Sequence, residues 1–352
     1  MKHILFRVNA GVSSGLGHLM RCLALAQAAA KNQLTPVFML NAEASKISNA
    51  RQDWVGQTIV IPETTEDAQE IDLIAQFCRL NSVVAIVIDG YHFTSQYRQR
   101  LAQLDYPIIC FDDMNNSGNL YANLIINGSG SAHQLKYDVN QPNTHLCIGE
   151  SYRVLRQEFC QFKQQTFEQR EYFTIIMGGS DPNNLTLPLL QCIEQKGFDG
   201  KLKVITGAAY PYLQELNKCI QVSELDIQHL HDCQQIAKSF LQTRLAISAA
   251  GGSQFELHAT ATPSCLVTVA DNQLNATQAA VKQGWCIAED FSKMQSDNEK
   301  LGLIEDVTAR LLVLWSDDNR LLQMHNRALG SSDTNGSQRI IEKVKQLCFD
   351  GE

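Results

Sequence analysis

Short apolar runs alternate with longer amphipathic runs along most of the chain. Residues 83–88 are continuously apolar and are followed by Asp89-Gly90-Tyr91, which is typical of a strand buried on both faces. Residues 67–80 instead have helical spacing, with acidic side chains in the first turn. Strands and helices in regular turn predict an α/β fold, with helices on both faces of a parallel sheet. The first half has further predicted strands over 3–6, 36–40, 57–61, 107–111 and 124–126, and further predicted helices over 22–30 and 94–104.

The same alternation starts again near residue 172. Two α/β halves of similar build predict two Rossmann-like domains whose parallel sheets face a cleft. We expect an N-terminal domain over 1–150, a glutamine-rich linker helix over 151–171, a C-terminal domain over 172–330 and a C-terminal helix or tail over 331–352. The tail is amphipathic and is expected to pack across the first domain. The second half has predicted strands over 172–177, 202–206, 227–230, 245–248 and 263–269, and predicted helices over 185–195, 211–218, 233–241, 254–261 and 274–283.

Charge and cysteine usage limit the classes of partner. The net charge of -8 argues against nucleic acid or an anionic membrane as the main partner. The 11 cysteines are scattered without a C-x-x-C pair. We expect no secretory leader, and therefore a cytoplasmic protein with reduced thiols. No apolar run approaches the roughly 20 residues that span a bilayer. We expect a monomer without a cofactor.

A glycine- and serine-rich turn over residues 11–17 joins the first strand to the first helix, where His18 begins the helix. Glycines let the backbone approach a ligand closely, and a helix start favours an anion. His18 adds a side chain that exchanges protons near neutral pH. The turn is therefore a candidate wall of an active site, with His18 as the candidate base. A capping or packing role for this histidine is the alternative.

Two more glycine turns follow predicted strands, Gly178-Gly179-Ser180 and Gly251-Gly252-Ser253. The first turn follows neither the G-x-G-x-x-G nor the Walker pattern, which disfavours a dinucleotide or P-loop site. Glu256 follows the last turn by about one helical turn. Its carboxylate could accept hydrogen bonds from ribose hydroxyls, or could only complement the helix dipole.

Two groups of residues suggest a metal site only weakly. Asp112-Asp113 could be a metal pair, but no histidine or third carboxylate lies near them in sequence, which favours a structural role. His229, His231 and Cys233 have conceivable ligand spacing, but a zinc site needs further ligands. We therefore predict no metal.

Several motifs together resemble one enzyme family. The first domain contributes Phe6-Arg7, residues 15–26, Asp89-x-Tyr91, Phe111-Asp112-Asp113 and Asn127, and the linker contributes Gly149-x-x-Tyr152 and Leu155-Arg156-x-Glu158-Phe159. The second domain contributes residues 176–181, Asn184-x-Thr186, Ala250-Gly251-Gly252-Ser253-x-x-Glu256 and Asp271-Asn272-Gln273. This combination resembles the UDP-2,4-diacetamido-2,4,6-trideoxy-β-L-altropyranose hydrolases of pseudaminic acid biosynthesis. That family is related to glycosyltransferases with two Rossmann domains, so the resemblance implies a GT-B-like fold. It also implies inverting hydrolysis at the anomeric carbon without a metal.

The resemblance also implies roles for single residues. His18 would activate water. The loop of Ala250, Gly251, Gly252 and Ser253 would hold UDP together with Glu256. The substrate contacts would be Arg7, Asn9, Gly15, Gly17, Arg21, Tyr91, Gly179, Ser180, Asn272 and Gln273.

One position departs from the family pattern. Family members often have Arg-x-Asp where this chain has Arg7-Val8-Asn9, and Asn9 carries no charge. The difference bears on sugar specificity more than on the reaction. UDP is a good leaving group, so a positioned water, a base and donors to the diphosphate are sufficient. A glycosyltransferase of the same fold, and a nucleotide-sugar binding protein without turnover, are the alternatives.

Overall fold

Two fully parallel β-sheets organise the chain, one in each of two units. The computed structural model describes residues 1–11, 16–137, 144–294 and 296–349. The first unit combines Met1–Cys160 with Asp333–Glu352, and the second unit is Gln161–Ser332. Parallel pairing between all neighbouring strands confirms the α/β class predicted from the alternating pattern.

The described residues of the first unit form a seven-stranded sheet flanked by helices. Its strands are β1 (Lys2–Val8), β2 (Leu34–Leu40), β3 (Gln57–Val60), β4 (Val83–Asp89), β5 (Ile108–Phe111), β6 (Leu124–Asn127) and β7 (His145–Ile148). The first helices are α1 (Gly17–Lys31), α2 (Ala42–Ala50), α3 (Asp67–Leu80) and α4 (Ser95–Ala102). The strand order is β3-β2-β1-β4-β5-β6-β7.

Alternate side chains of the central strand β1 enter two different cores. Ile4 and Phe6 pack with Leu19 of α1 on one face, whereas Leu5 packs with Ile71 and Ile74 of α3 on the other. This separation follows from the two-residue period of a strand. Burial on both faces explains the continuous apolar run over residues 83–88 in β4.

The second unit contains a six-stranded sheet of the same kind. Its strands are β8 (Tyr172–Ile176), β9 (Lys201–Thr206), β10 (Ile227–His231), β11 (Thr243–Ala249), β12 (Ser264–Thr268) and β13 (Cys286–Asp290). Its helices are α5 (Thr186–Gln195), α6 (Leu213–Val222), α7 (Ile236–Leu241), α8 (Ser253–Ala259), α9 (Asp271–Gln283), α10 (Asp297–Trp315) and α11 (Asp318–Ser331). The strand order is β10-β9-β8-β11-β12-β13.

Each sheet has a point where the strand order reverses. It lies between β1 and β4 in the first unit and between β8 and β11 in the second. Open α/β sheets bind ligands outside the carboxyl ends of the strands at such a point. The topology therefore selects, within each unit, the residues that follow these two strands.

The C-terminal helix α12 (Gly336–Phe349) returns to the first unit. Its side chains Ile340, Ile341 and Val344 join the core that contains Ile4 and Phe6. The predicted packing of the amphipathic tail across the first domain is confirmed. Within the described ranges, no helix combines the length and the apolar character that are needed to cross a bilayer.

The linker helix predicted over 151–171 is wrong. The chain there makes only short 3-10 turns, at Glu150–Tyr152, Gln157–Phe159 and Phe167–Gln169. Within these turns backbone N–H groups bond three residues back, as from Phe159 N to Arg156 O, whereas between the turns some bond to distant residues. Leu155 N donates to Ser337 Oγ at 3.3 Å, and Gln157 N donates to Gln27 Oε1 at 2.7 Å. Tertiary contacts thus replace the i to i−4 hydrogen bonds of a helix.

Candidate functional site

The reversal point of the first sheet brings together His18 and Asp89. His18 is the second residue of α1, and Asp89 is the last residue of β4. His18 Nδ1 lies 2.8 Å from Asp89 Oδ1, and the two residues are 6% and 1% exposed. A histidine that donates its Nδ1 proton to a carboxylate keeps Nε2 as its basic nitrogen, and the carboxylate stabilises the ring once it is protonated. This pair has the geometry of a general base with its orienting group.

Arg21 holds the carboxylate of Asp89 in place. It lies one helical turn after His18, so the two side chains share a face of α1. Arg21 Nε donates to Asp89 Oδ2 at 2.5 Å, and Nη2 donates to Oδ1 at 2.6 Å. Cys22 Sγ is a weaker third donor, 3.6 Å from Asp89 Oδ2. Burial raises the pKa of Asp89, but the charges of Arg21 and His18 outweigh burial, so this pKa lies well below its usual range.

Arg21 also reaches a second carboxylate, that of Asp113. Arg21 Nη1 donates to Asp113 Oδ1 at 2.8 Å, and the hydroxyl of Tyr91 donates to Asp113 Oδ2 at 2.7 Å. Burial raises the pKa of Asp113, but Arg21 more than offsets this, so the net pKa is lowered. The ring of Tyr91 meets the ring of His18 edge-on, with centroids 4.7 Å apart. Both carboxylates thus stay ionised around a single guanidinium.

The adjacent Asp112 faces a different set of partners. Its Oδ2 accepts hydrogen bonds from Tyr137 Oη at 2.8 Å and from Asn115 N at 2.7 Å. Burial raises the pKa of Asp112, whereas the pKa of Asp113 is lowered. The two aspartates are therefore engaged separately. Within the part of the chain that the structure describes, no group of three or more histidine, cysteine or acidic side chains could hold a metal ion.

Arg7 is buried beneath this site and binds Glu70. Arg7 Nε and Nη2 donate to the two carboxylate oxygens of Glu70 at 2.7 and 2.8 Å. Tyr97 Oη donates to Glu70 Oε1 at 2.5 Å. Burial raises the pKa of Glu70, but Arg7 and Tyr97 outweigh this and lower it overall. The contact of Arg7 with substrate stays a prediction, because its guanidinium binds Glu70 here.

Asn9 pairs with His92 at the end of β1. Asn9 Nδ2 lies 2.8 Å from His92 Nδ1. Burial, together with the charge of Arg7, lowers the pKa of His92 to about 4, so this ring is neutral at pH 7 and its Nδ1 accepts the amide proton. Gly17 begins α1, and a methyl group on its Cα would have no atom of the described residues within 4 Å. Gly15 lies outside the described residues.

A small cavity adjoins the carboxylates of the first unit. It has a volume of about 20 Å³ and is lined by Arg21, Asp89, Tyr91, Arg98 and Asp112, together with apolar side chains. Its volume is large enough for one water molecule. Arg98 at its edge donates to the backbone oxygens of Phe93 and Ser117, so its guanidinium supports the loops on either side of the cavity.

The reversal point of the second sheet brings together the predicted UDP loop and Gln273. Residues 250–253 follow β11, and a methyl group on Gly252 would have no atom of the described residues within 4 Å. A methyl group on Gly251 would meet only Gln273 Nε2 among them, at 4.0 Å. Gln273 Oε1 accepts a hydrogen bond from Val269 N at 2.8 Å, which fixes the amide and directs its nitrogen toward the loop. The loop thus presents open glycine backbone beside an oriented amide donor.

The other residues predicted for the second domain lie near this loop in the topology. Gly179 and Ser180 follow β8, and the backbone of Gly179 packs so closely on Gly207 that a methyl on Gly207 would lie 2.4 Å from Gly179 O. Glu256 is in the first turn of α8, and Asn272 is in the first turn of α9. All of these residues therefore lie in loops or first helical turns that follow strands at the carboxyl edge of the sheet.

Comparison with known proteins identifies two relatives at low identity. No family model matches the chain. An uncharacterized protein of Methanocaldococcus jannaschii, MJ1062, is 24% identical over 258 residues, which is 70% of this chain and 52% of that protein. The UDP-2,4-diacetamido-2,4,6-trideoxy-β-L-altropyranose hydrolase of Campylobacter jejuni is 25% identical over 252 residues, 70% of this chain and 84% of that one. The chain thus matches about half the length of the first relative and most of the second.

Solved structures resemble the whole chain. Acinetobacter baumannii MurG has a TM-score of 0.65 at 13% identity and covers 98% of this chain and 100% of its own. A glycosyltransferase from Rickettsia africae has a TM-score of 0.63 at 11% identity, with 99% of each chain covered. S. aureus MnaA, in a co-structure with UDP, has a TM-score of 0.62 at 13% identity, and the match covers 99% of this chain and 97% of that one. The chain therefore has two Rossmann-like units and shares the fold of GT-B glycosyltransferases.

Two residues of the site have no catalytic or substrate-binding role predicted from sequence. Asp89 and Asp113 occur in motifs of the family resemblance, and Asp113 is also a weak metal candidate, but the sequence links neither residue to His18 or Arg21. The available signal is their place at the carboxyl ends of neighbouring strands, which meet at one edge of a parallel sheet. This position indicates that the two carboxylates lie close together, but it does not indicate which side chain each of them binds.

Proposed function

We propose that this protein hydrolyses a UDP-linked 2,4-diacetamido-2,4,6-trideoxyhexose, the L-altrose form, to UDP and the free sugar in pseudaminic acid biosynthesis. The observation that carries the proposal is the buried His18–Asp89 pair at the reversal point of the first sheet. The hydrolase of Campylobacter jejuni, 25% identical over 70% of this chain, supports the same substrate.

His18 would act as the general base in an inverting, metal-independent reaction. Its Nε2 takes a proton from water as the water oxygen forms a bond to the anomeric carbon. The bond from that carbon to the diphosphate oxygen breaks, and UDP leaves with the electron pair. Asp89 stabilises the imidazolium that forms, and Arg21 keeps Asp89 ionised for this task. His18 then returns the proton to solvent.

The remaining predicted residues would bind the substrate. Donors from the backbone of the 250–253 loop and the amide of Gln273 suit a diphosphate, and Glu256 suits ribose hydroxyls. Tyr91 and Asn272 would contact the sugar. The neutral Asn9–His92 pair would provide hydrogen bonds without charge at the position where the resembling family often has an aspartate.

A glycosyltransferase that uses UDP-sugars is the second candidate. The fold shared with the Rickettsia africae glycosyltransferase supports it as well as it supports a hydrolase. In that case His18 would take the proton from an acceptor hydroxyl instead of from water. Release of UDP from the sugar nucleotide without any acceptor separates the two candidates.

The deciding experiment incubates the protein with the UDP-sugar in water labelled with heavy oxygen, with and without EDTA. Label in the free sugar, unaffected by EDTA, is expected for attack of water at carbon. Label in UDP would refute this chemistry. His18→Ala should lose turnover by about 100-fold or more, whereas His145→Ala, at an exposed histidine on the edge strand β7, should keep wild-type turnover. Wild-type turnover by His18→Ala would refute the assignment of the base.

A further inference from the structure

Five side chains of the first unit form a closed ring of contacts. His18 bonds to Asp89, Asp89 to Arg21, Arg21 to Asp113, and Asp113 to Tyr91, whose ring returns to the ring of His18. The hydrogen bonds in this ring are 2.5 to 2.8 Å long, and the ring contact spans 4.7 Å between centroids. A displacement of one member therefore changes the position of the others.

We propose that Asp113 is a positioning residue that couples the sugar contact Tyr91 to the base His18. This inference rests on the proposed function, since Tyr91 and His18 have these roles only there. Asp113 itself bonds to Arg21 and Tyr91, so it acts through them. The sequence alone offers Asp113 only as a metal ligand or a structural residue.

The exposed position of Tyr91 makes its hydrogen bond to Asp113 important for the orientation of its ring. Tyr91 is 59% exposed and follows Gly90, whose φ of +152° belongs to a turn after β4. An exposed tyrosine on a turn has several accessible rotamers. The hydrogen bond to Asp113 selects the rotamer in which the ring stands edge-on to His18. Loss of this hydrogen bond removes one restraint that keeps the ring against the imidazole.

The charges of the ring of contacts suit a base that gains a proton. Asp89 and Asp113 are two carboxylates around one guanidinium, that of Arg21. With a neutral His18, the group carries one net negative charge. A proton taken up by His18 during the reaction brings the net charge of the group to zero. Asp113 thus supports His18 both through the ring of Tyr91 and through Arg21.

The test compares Asp113→Asn, Tyr91→Phe and the double variant with the wild type. Asp112→Asn is the matched control, because Asp112 is the neighbouring aspartate with separate partners. Hydrolysis of the UDP-sugar gives kcat and KM, and thermal unfolding shows that each variant is folded. The nitrogen resonances of the His18 ring in ligand-free protein, assigned with His18→Ala, provide a readout that needs no turnover.

Each single variant should lower kcat about tenfold and change KM less than about threefold. The double variant should also lower kcat by no more than about tenfold, because both changes remove one shared hydrogen bond. Asp113→Asn and Tyr91→Phe should both shift the His18 resonances, and Asp112→Asn should not. A double variant that loses about 100-fold, the product of two independent effects, overturns the coupling. Unchanged His18 resonances also overturn it. A wild-type protein that releases no UDP refutes the proposed function, while the resonances still decide the coupling.

Discussion

Replacing Asp89 with asparagine isolates the contribution of its charge to the site. The carboxylate accepts two hydrogen bonds from Arg21, one from His18 and a weak one from Cys22. Asparagine offers one acceptor oxygen and an amide group that only donates. If its oxygen stays opposite His18, its amide faces Arg21 Nε, which is also a donor. The variant therefore keeps the shape of the site, but it loses the negative charge and the second acceptor oxygen that the carboxylate offers to its donors.

The structure sets the size of both effects. Arg21 keeps its bond to Asp113, so the loss in stability amounts to about one charge-assisted hydrogen bond, about 2 to 3 kcal/mol. For a folding unit of about 150 to 250 residues, the size range of the first unit, this corresponds to a fall in melting temperature of about 4 to 12 °C. Turnover should fall by about 100- to 10,000-fold, because the imidazolium loses its partner. KM should change less than about threefold, since Asp89 is 1% exposed and is not placed against substrate.

Steady-state kinetics of UDP release, together with thermal unfolding, measure these effects. Asp112→Asn is the control, because Asp112 is also a buried aspartate at a strand end but bonds to Tyr137 and Asn115. The control should lose stability and keep turnover within about threefold of the wild type. An Asp89→Asn protein that is folded and turns over within about threefold of the wild type would refute the Asp–His mechanism.

Three more substitutions test the surroundings of the two loops and the buried ion pair. Gly252→Ala should weaken UDP binding about tenfold in calorimetry with little change in melting temperature, because its φ of −56° suits alanine and the methyl would occupy the open space over the loop; unchanged UDP affinity would argue against this loop as the diphosphate site. Gly207→Ala should cost about 1 to 3 kcal/mol in urea unfolding, because its methyl would lie 2.4 Å from Gly179 O; a fully stable variant would contradict the close packing. Glu70→Gln should cost about 3 kcal/mol at pH 7 by leaving Arg7 buried without its partner. Since the pKa of Glu70 is lowered in the folded protein, this difference should be complete above the unfolded pKa of about 4.3 and should shrink as the pH falls below it; a difference that grows toward acid pH would contradict the sign.

Much of the fold could be predicted from the sequence, because the central strands are buried on both faces and leave an unbroken apolar pattern. The runs over 83–88 and 67–80 correspond closely to β4 and α3. Two elements that the sequence does not predict, β7 and α2, lack that signal. In β7, His145 and Leu146 are exposed on an edge strand, and α2 is composed mainly of small and polar residues that begin with an Asn41 cap.

The site could be predicted only in part, because its partners are far apart in the chain. His18 stands out through its place after a glycine turn, which is a local signal. Its bond to Asp89 spans 71 positions, and the bond from Arg21 to Asp113 spans 92. Only the register of parallel strands determines which carboxylate meets which donor. Sequence patterns locate the edge of the sheet, but they do not contain that register.

The return of α12 to the first unit has a consequence for synthesis on the ribosome. The hydrophobic core around Ile4 and Phe6 includes Ile340, Ile341 and Val344, so it cannot be completed until translation has passed these residues. The second unit, Gln161–Ser332, is one uninterrupted stretch and leaves the ribosome before α12 does. Since units generally fold as they emerge, the later half of the chain can reach its native state while the earlier half still waits for its last helix. Premature termination near residue 333 would therefore damage the unit that was synthesised first.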